Sequence, residues 1–345
     1  MILTAIEERE ISKYTKLFDF SKELSERTIL ITGSKGIVGS GIIKWLLYEN
    51  EYKNLNCRII ASTRDETRKP SYIEDKDNIT YVTFGKELEE CADMQIDFVV
   101  HAAAPTSNKV FKSLPVESLH VIVDGTERML QLSLQHHAKM IYLSSEEAYG
   151  TPDEEKPIKE DYVGAINSLS TRSCYPLGKK VAELLCRSYN EEYGVDVRII
   201  RPTVILGLWQ EYDSVKVEAE ILRCIIENMN LHMISDGSTK KCVIYSLDAV
   251  SAVLLALTKG HAGEAYNATN PVTFCSVKER AYAAFSEFNP NVTIEFAQVD
   301  NSLKSGYLPK RSLCEDITKL SELGWKPYAD MSYIYKLDIE RFDQK

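Results

Sequence analysis

Tyr175 and Lys179 stand four residues apart in Tyr175-Pro176-Leu177-Gly178-Lys179, a spacing that places both side chains on one face of a helix. An ammonium beside a phenol lowers the phenol's pKa, and such a tyrosine could exchange a proton with a substrate hydroxyl as hydride moves to or from carbon. Ser145 lies in Ser144-Ser145-Glu146-Glu147-Ala148-Tyr149-Gly150, which closes an apolar strand. A serine leaving a central strand there can hydrogen-bond the same substrate oxygen. A second tyrosine–lysine pair with this spacing, Tyr72 and Lys76, falls in the charged stretch 70–77, which reads as a loop away from the strand ends.

A second constellation is Thr32-Gly33-Ser34-Lys35-Gly36-Ile37-Val38-Gly39, with glycines spaced G-x-x-G-x-x-G between a strand and an amphipathic helix. Gly33 makes the tight turn, Gly36 lets backbone approach a pyrophosphate, and Gly39 lets helix and strand pack closely. Ile37 and Val38 lead into the helix, whose free N–H groups and positive dipole end suit phosphate. The spacing predicts a dinucleotide, NAD or NADP, and an oxidised nicotinamide would lower the pKa of Tyr175 further. Where an acidic residue would hold the ribose of NAD at the end of the second strand, Ser62 and Thr63 appear, followed by Arg64. Arg64 could pair with the 2′-phosphate of NADP or stack on adenine.

Positioning these groups requires a repeating set of elements. Apolar runs at 28–32, 58–62, 79–84, 97–101, 140–144 and 195–201 read as strands, and 39–48, 119–136 and 179–193 as helices. Apolar strands alternating with amphipathic helices predict an α/β fold: a Rossmann-type, doubly wound parallel sheet whose ligands lie outside the carboxyl ends of its strands. Residues 28–202 with 242–270 form the expected dinucleotide-binding domain. Residues 203–241 with 271–345, richer in turn signals, form a smaller C-terminal substrate-binding lobe. Residues 1–27 read as an N-terminal extension with one or two amphipathic turns around Ile11, Leu17, Phe18 and Leu24.

The net charge of the 345 residues is −10, which argues against nucleic-acid binding. No apolar run is long enough for a membrane span, and the acidic N-terminus lacks a signal pattern. Eight cysteines stand singly with no C-x-x-C pair, which predicts no metal site and free thiols in a cytoplasmic protein.

Together these motifs resemble the extended short-chain dehydrogenase/reductase superfamily, the NAD-dependent epimerase/dehydratase family. Thr32–Gly39 matches its glycine loop, His101-Ala102-Ala103 its H-A-A, Ser145–Gly150 its S/T-x-x-x-Y-G, and Tyr175–Lys179 its Y-x-x-x-K. Tyr245–Val250 and Gly263–Asn267 resemble later landmarks, and the likeness runs from about residue 28 to 280. It implies a bound NAD(P) touched by Ala102 and Ala103, a nucleotide-sugar substrate, Tyr175 as acid/base, Lys179 as its activator and Ser145 as substrate-oxygen partner. Glu147 stands where 4,6-dehydratases show T-D-E-V-Y-G and UDP-glucuronate decarboxylases T-S-E-V-Y-G, and Arg172-Ser173-Cys174-Tyr175 resembles the decarboxylases' segment. Oxidation at C4 acidifies the C5 proton or destabilises a C5 carboxylate, and a carboxyl group such as Glu147 could then assist.

The sequence departs from the family at Ile122 and Val204, each in place of asparagine, and at Lys241 in place of arginine. Lys216 and Lys241 are therefore candidates for the diphosphate. Thr106, Ser107, Ser145, Glu146 and Thr203 are candidates for the rest of the substrate. The expected reaction is dehydration or decarboxylation through transient C4 oxidation. The alternatives are an epimerase, a reductase of a nucleotide-linked keto sugar or alditol, or a non-catalytic nucleotide sensor. The helices at 119–136 and 179–193 would, by analogy, build a homodimer.

Overall fold

The computed structural model describes residues 3–64, 78–152, 157–296 and 312–343. Tyr72 and Lys76 lie outside them. Helices α1 (Ala5–Leu17) and α2 (Ser21–Leu24) lead into β1 (Thr28–Thr32), α3 (Ile37–Lys53), β2 (Arg58–Thr63) and β3 (Ile79–Thr83). Next come α4 (Glu87–Glu90), β4 (Phe98–His101), α5 (Asn108–Ser113), α6 (Pro115–His136) and β5 (Lys139–Leu143). Two 3-10 turns, Glu146–Tyr149 and Thr171–Ser173, precede α7 (Cys174–Tyr193) and β6 (Val197–Pro202). The rest of the chain runs β7 (Val204–Leu206), α8 (Val217–Glu227), β8 (Leu231–Met233), β9 (Lys240–Tyr245), α9 (Ser246–Lys259) and β10 (Ala265–Ala268). It closes with β11 (Asn270–Ser276), α10 (Val277–Phe288), β12 (Ile294–Phe296), β13 (Ser312–Leu313), α11 (Thr318–Glu322) and α12 (Met331–Asp343).

Seven strands form one parallel sheet in the order β10-β6-β5-β4-β1-β2-β3. Successive strand residues point to opposite faces, so each strand feeds two cores. Ile29, Ile31, Val100 and Ile141 pack on one face with Ile42 and Leu46 of α3 and Val250 and Leu254 of α9. Leu30, Val99, Met140 and Ile199 pack on the other with Ile122 and Met129 of α6 and Ala182 and Cys186 of α7. Full burial of one such Ile or Leu contributes about 1.5–3 kcal/mol. The chain order reverses between β1 and β4, the place where ligands bind in such sheets.

After residue 203 the strands divide between sheets. Strand β10 joins the large sheet beside β6, but β9 does not. It lies in a second, four-stranded sheet between β11 and β13, with β7 also paired to it. Helices α8, α10 and α12 and the two-stranded sheet of β8 and β12 share a separate apolar cluster around Ile221, Phe285 and Tyr335.

The N-terminal extension is longer than its apolar spacing suggests. Helix α1 has 13 residues and opens with a capping box in which Thr4 and Glu7 satisfy each other's backbone N–H. Glu7 also takes the indole N–H of Trp209 at 2.8 Å and the ammonium of buried Lys44. Tyr14 donates to Asp248 at 2.8 Å, and the same carboxylate accepts from the backbone of Tyr328 at 2.8 Å and Ala329 at 3.1 Å. Helix α1 thus ties α3, α9 and the C-terminal segment together. Burial, against those three hydrogen bonds, pushes the Asp248 carboxyl up to about 6. Asp248→Ala removes the shared acceptor of one hydroxyl and two amides. We expect it to lower the stability read from urea unfolding by about 3 kcal/mol.

Candidate active site

The β1–α3 turn is built by steric exclusion. Gly33 has φ +68°. A Cβ there would lie 2.7 Å from the Ala102 carbonyl carbon and oxygen and 2.9 Å from Ala103 N. A Cβ on Gly39 would lie 2.3 Å from Gly33 O. Gly36 caps α3 with extended backbone and no side-chain hydrogen bond, so the N–H groups of the first turn remain available to phosphate. Thr32 braces the neighbouring loop: its hydroxyl lies 2.7 Å from His101 Nδ1 and accepts from Ala103 N at 3.2 Å. Burial, with Lys179 and Arg128 nearby, pushes His101 down to about 3, so its ring is neutral. This cradle, which side chains would fill, fits a dinucleotide pyrophosphate.

At the tip of β2, Ser62 does not face a ligand. Its hydroxyl donates to buried Glu87 at 2.6 Å, which also holds Gly85 N at 2.8 Å. Arg64 is exposed.

Sheet and helix bring Ser145, Tyr175 and Lys179 to one strand end. Ser145 caps the 3-10 turn after β5, accepting from Glu147 N at 3.2 Å. Tyr175, in the first turn of α7, stacks on Phe111 with ring centroids 4.7 Å apart, and the Ser145 hydroxyl is among the groups that act on its phenol. Lys179 Nζ donates to the Leu143 carbonyl at 2.5 Å and lies 5.8 Å from the Tyr175 ring centroid. Burial depresses Lys179 to about 7. The phenol of Tyr175 is raised, not lowered: burial outweighs its hydrogen bond to Ser145 and the pull of Arg172. The lowering expected from Lys179 is therefore not supplied by the protein alone. A cationic nicotinamide ring is the further charge that would work against this burial.

Glu147 is clasped by Arg172, whose Nη2 lies 3.1 Å from both carboxylate oxygens. The Arg172 guanidinium also covers Phe111, 4.9 Å from its ring centroid. Glu146 turns the other way, its Oε2 accepting from Thr203 at 2.8 Å beneath the cleft. Ser107 is the N-cap of α5, with its oxygen engaged by Lys109 N at 3.3 Å, and Thr106 is exposed. Ile122 lies in the core against Gly178.

Lys216 and Lys241 converge on Glu218. Lys241 Nζ lies 3.4 Å and Arg280 Nη1 3.1 Å from the same Glu218 oxygen. Burial would raise this carboxyl, but Lys241, Arg280 and Lys216 hold it at about 2. Three cations around one carboxylate leave a positive excess in the smaller lobe, the electrostatics a diphosphate needs. Sequence reasoning missed Arg280, Glu218 and Phe111. They sit on ordinary amphipathic helices with no local motif, and only the folded chain brings them to the site.

A Rossmann-type sheet with serine, tyrosine and lysine gathered at its strand ends defines an extended short-chain dehydrogenase/reductase. Residues 29–269 match the profile of the NAD dependent epimerase/dehydratase family, and the chain belongs to that family of enzymes. It is 29% identical over 300 residues to UDP-glucuronic acid decarboxylase 1 of Arabidopsis thaliana, a match covering 87% of this chain and 66% of that protein. It is 30% identical over 304 residues to UDP-glucuronic acid decarboxylase 5 of the same organism, covering 88% and 85%. Its fold is that of UDP-glucose 4-epimerase from Thermotoga maritima, with TM-score 0.77 and 22% identity over 92% of this chain and 99% of that one. It is equally that of dTDP-glucose 4,6-dehydratase from Bacillus anthracis, solved in complex with NAD, with TM-score 0.74 and 21% identity over 92% and 97%.

The Lys179 shift sets a pH signature. Its folded-state value is about 7, against about 10.4 when unfolded. Between these values the unfolded chain binds the extra proton, so this group makes stability rise with pH. We expect Lys179→Met to remove that rise, measured as a smaller gain in urea midpoint between about pH 7 and 9 than in the parent protein.

Proposed function

We propose that this enzyme decarboxylates a nucleotide-linked uronate through transient oxidation at C4. The observation that carries this reading is the convergence of Ser145, Tyr175 and the Arg172–Glu147 pair at one strand end. Gly33, Gly36, Ile37, Val38, Gly39, Ala102 and Ala103 hold NAD(P), with Tyr175 and Lys179 at its reactive end. Bound there, NAD(P) supplies a hydride acceptor and donor. Tyr175 takes the proton of the C4 hydroxyl, and Ser145 holds the same oxygen. The resulting C4 ketone makes the C5 carboxylate a β-keto acid, whose C5–C6 bond breaks with release of carbon dioxide. Its electron pair passes to the C4 oxygen, where Tyr175 and Ser145 stabilise it. Glu147, oriented by Arg172, stands to move the C5 proton.

Lys216 and Lys241, with Arg280, are proposed to hold the diphosphate. Thr106 and Ser107 lie at the sugar's side, and Thr203 and Glu146 support the floor. The lobe formed by residues 203–241 and 271–345 carries the nucleotide, over the domain of residues 28–202 and 242–270. Arg64 at the β2 tip favours a 2′-phosphate, and we assign NADP as an accepted form of the cofactor. The eight free thiols suit a reducing, cytoplasmic setting. A 4,6-dehydratase is the second reading, favoured by an acidic residue, Glu146, at the place where those enzymes carry aspartate.

Mass spectrometry after incubation with UDP-, dTDP-, CDP- and GDP-sugars and uronates, with NAD and NADP supplied separately, tests this. We expect loss of carbon dioxide from a uronate, and at least a hundredfold slower turnover in Tyr175→Phe with dinucleotide binding kept. Loss of water from a neutral sugar establishes the dehydratase instead, and an unchanged mass at a new retention time an epimerase.

A homodimer is proposed through α6 and α7, where Val116, Leu119, Leu134, Val181 and Leu184 are exposed. Leu184→Glu should halve the mass found by sedimentation. A wild-type monomer would refute the contact.

A further inference from the structure

The eight cysteines stand singly in the sequence, yet the fold sets two of them side by side. Strand β13 pairs in parallel with β9, Ser312 beside Lys240 and Leu313 beside Lys241. One further step of that register sets Cys314 opposite Cys242, and facing residues of paired strands share one side of the sheet. Their sulfurs lie 3.6 Å apart, with the Cys242 thiol donating to Cys314. Strands paired about 4.8 Å apart hold facing Cα atoms within the roughly 4.4–6.8 Å that a disulfide needs. Closing from thiol contact to a bond of about 2 Å asks for a shift of about 1.6 Å. Strand β13 can supply it, because it has two residues and lies at the end of its sheet.

The two thiols differ in access. Cys242 is fully buried, whereas Cys314 is partly exposed. Backbone contacts hold both in place: the Thr203 hydroxyl lies 2.8 Å from the Cys242 carbonyl oxygen, and Ile158 N donates to Cys314 O at 2.8 Å. The hydrogen bond between the sulfurs lowers the Cys314 thiol and, with burial, pushes the Cys242 thiol up. Among the described residues no other pair of cysteines brings its sulfurs within hydrogen-bond reach.

We propose that Cys314 and Cys242 are a hydroperoxide-reactive pair that closes a reversible disulfide and staples β13 to β9. The Cys314 thiolate attacks one oxygen of the hydroperoxide. The O–O bond breaks, leaving a sulfenic acid on Cys314 and releasing water or an alcohol. The Cys242 sulfur then attacks the Cys314 sulfur and displaces hydroxide, which leaves as water with the Cys242 proton. Two thiols thus give up two electrons and two protons, and the hydroperoxide takes up both. Cys242 is already in contact, so it meets the sulfenic acid before a second peroxide does and spares Cys314 from irreversible oxidation. The bond joins residues 72 apart in sequence and takes conformational freedom from the unfolded chain, so the oxidised protein resists unfolding better than the reduced one. Neither thiol is among the groups assigned to NAD(P) or the substrate, so the staple forms whichever sugar nucleotide the enzyme turns over.

Peptide mapping of the full chain tests this. The reduced protein is treated with stoichiometric hydrogen peroxide, its remaining thiols are blocked with N-ethylmaleimide, and the digest is read by mass spectrometry without reductant. A linked pair of peptides carrying Cys242 and Cys314 should appear, lighter than their sum by two hydrogens, and should vanish on treatment with dithiothreitol. Cys275→Ser, which removes the other partly exposed thiol, should keep the link. Cys314→Ser should lose it, and Cys242→Ala should lose it and carry a sulfinic or sulfonic acid on Cys314 instead. Urea unfolding should give the oxidised wild type a higher midpoint than the reduced one, and Cys314→Ser the same midpoint under both conditions. A Cys314 that stays blocked by maleimide in the wild type, a Cys314 linked to any other cysteine, or an oxidised midpoint no higher than the reduced one each overturns the proposal.

Discussion

The contact on which the rest depends is the backbone-to-backbone approach of Gly33 to Ala102. β1 and β4 are neighbours in the sheet, and the loops leaving their carboxyl ends share a space with no room for a Cβ. That closeness aims the N-terminus of α3 across the switch point and fixes the strand end against which Thr32, His101 and Ala103 are braced. β5 is the next strand over, so Ser145 and the Lys179 anchor at Leu143 inherit their distance from the loop through the sheet's register. A shift of this contact would displace the glycine loop and the Ser145–Tyr175–Lys179 group relative to each other.

Two electrostatic regimes meet across the cleft. On the sheet side, burial works against every charge: Lys179 is depressed, Tyr175 raised and His101 kept neutral. Such a site takes its net charge from what binds in it, and a cationic ring would change the balance at Tyr175 at once. On the lobe side, Lys216, Lys241 and Arg280 outnumber Glu218. That carboxylate offsets the repulsion among three like charges, so the cluster holds together without an added anion.

What the sequence reveals here follows the length of the contacts. Strands such as Thr28–Thr32 are legible because both faces are buried and every residue is apolar or β-branched. Tyr175 and Lys179 are legible because one helical turn joins them. The Arg172–Glu147 clasp spans 25 residues and the Glu146–Thr203 bond 57, and no local spacing encodes either. Helix α1 is underestimated for a related reason. Its acidic face looks solvated, yet Glu7 and Glu10 are buried, with partners in Lys44, Trp209 and Tyr333 far along the chain. Strand β9 ends in four consecutive buried residues, as a strand covered on both faces does, but which sheet it joins is decided by the lobe segments on either side of it.

The mooring of α1 has a consequence for the order of assembly. Arg9 closes on Glu340 with two hydrogen bonds, of 2.7 and 2.8 Å, across 331 residues, and Tyr14 meets Asp248 across 234. During synthesis this helix leaves the ribosome well before α9 and α12 and cannot find its seat until they have followed. It must wait as a short amphipathic segment with Ile6, Ile11 and Tyr14 in water, while the sheet assembles through contacts of shorter span. A segment translated early is thus among the last to dock, and it seals over α3 and α9 a core that the nascent protein keeps partly open.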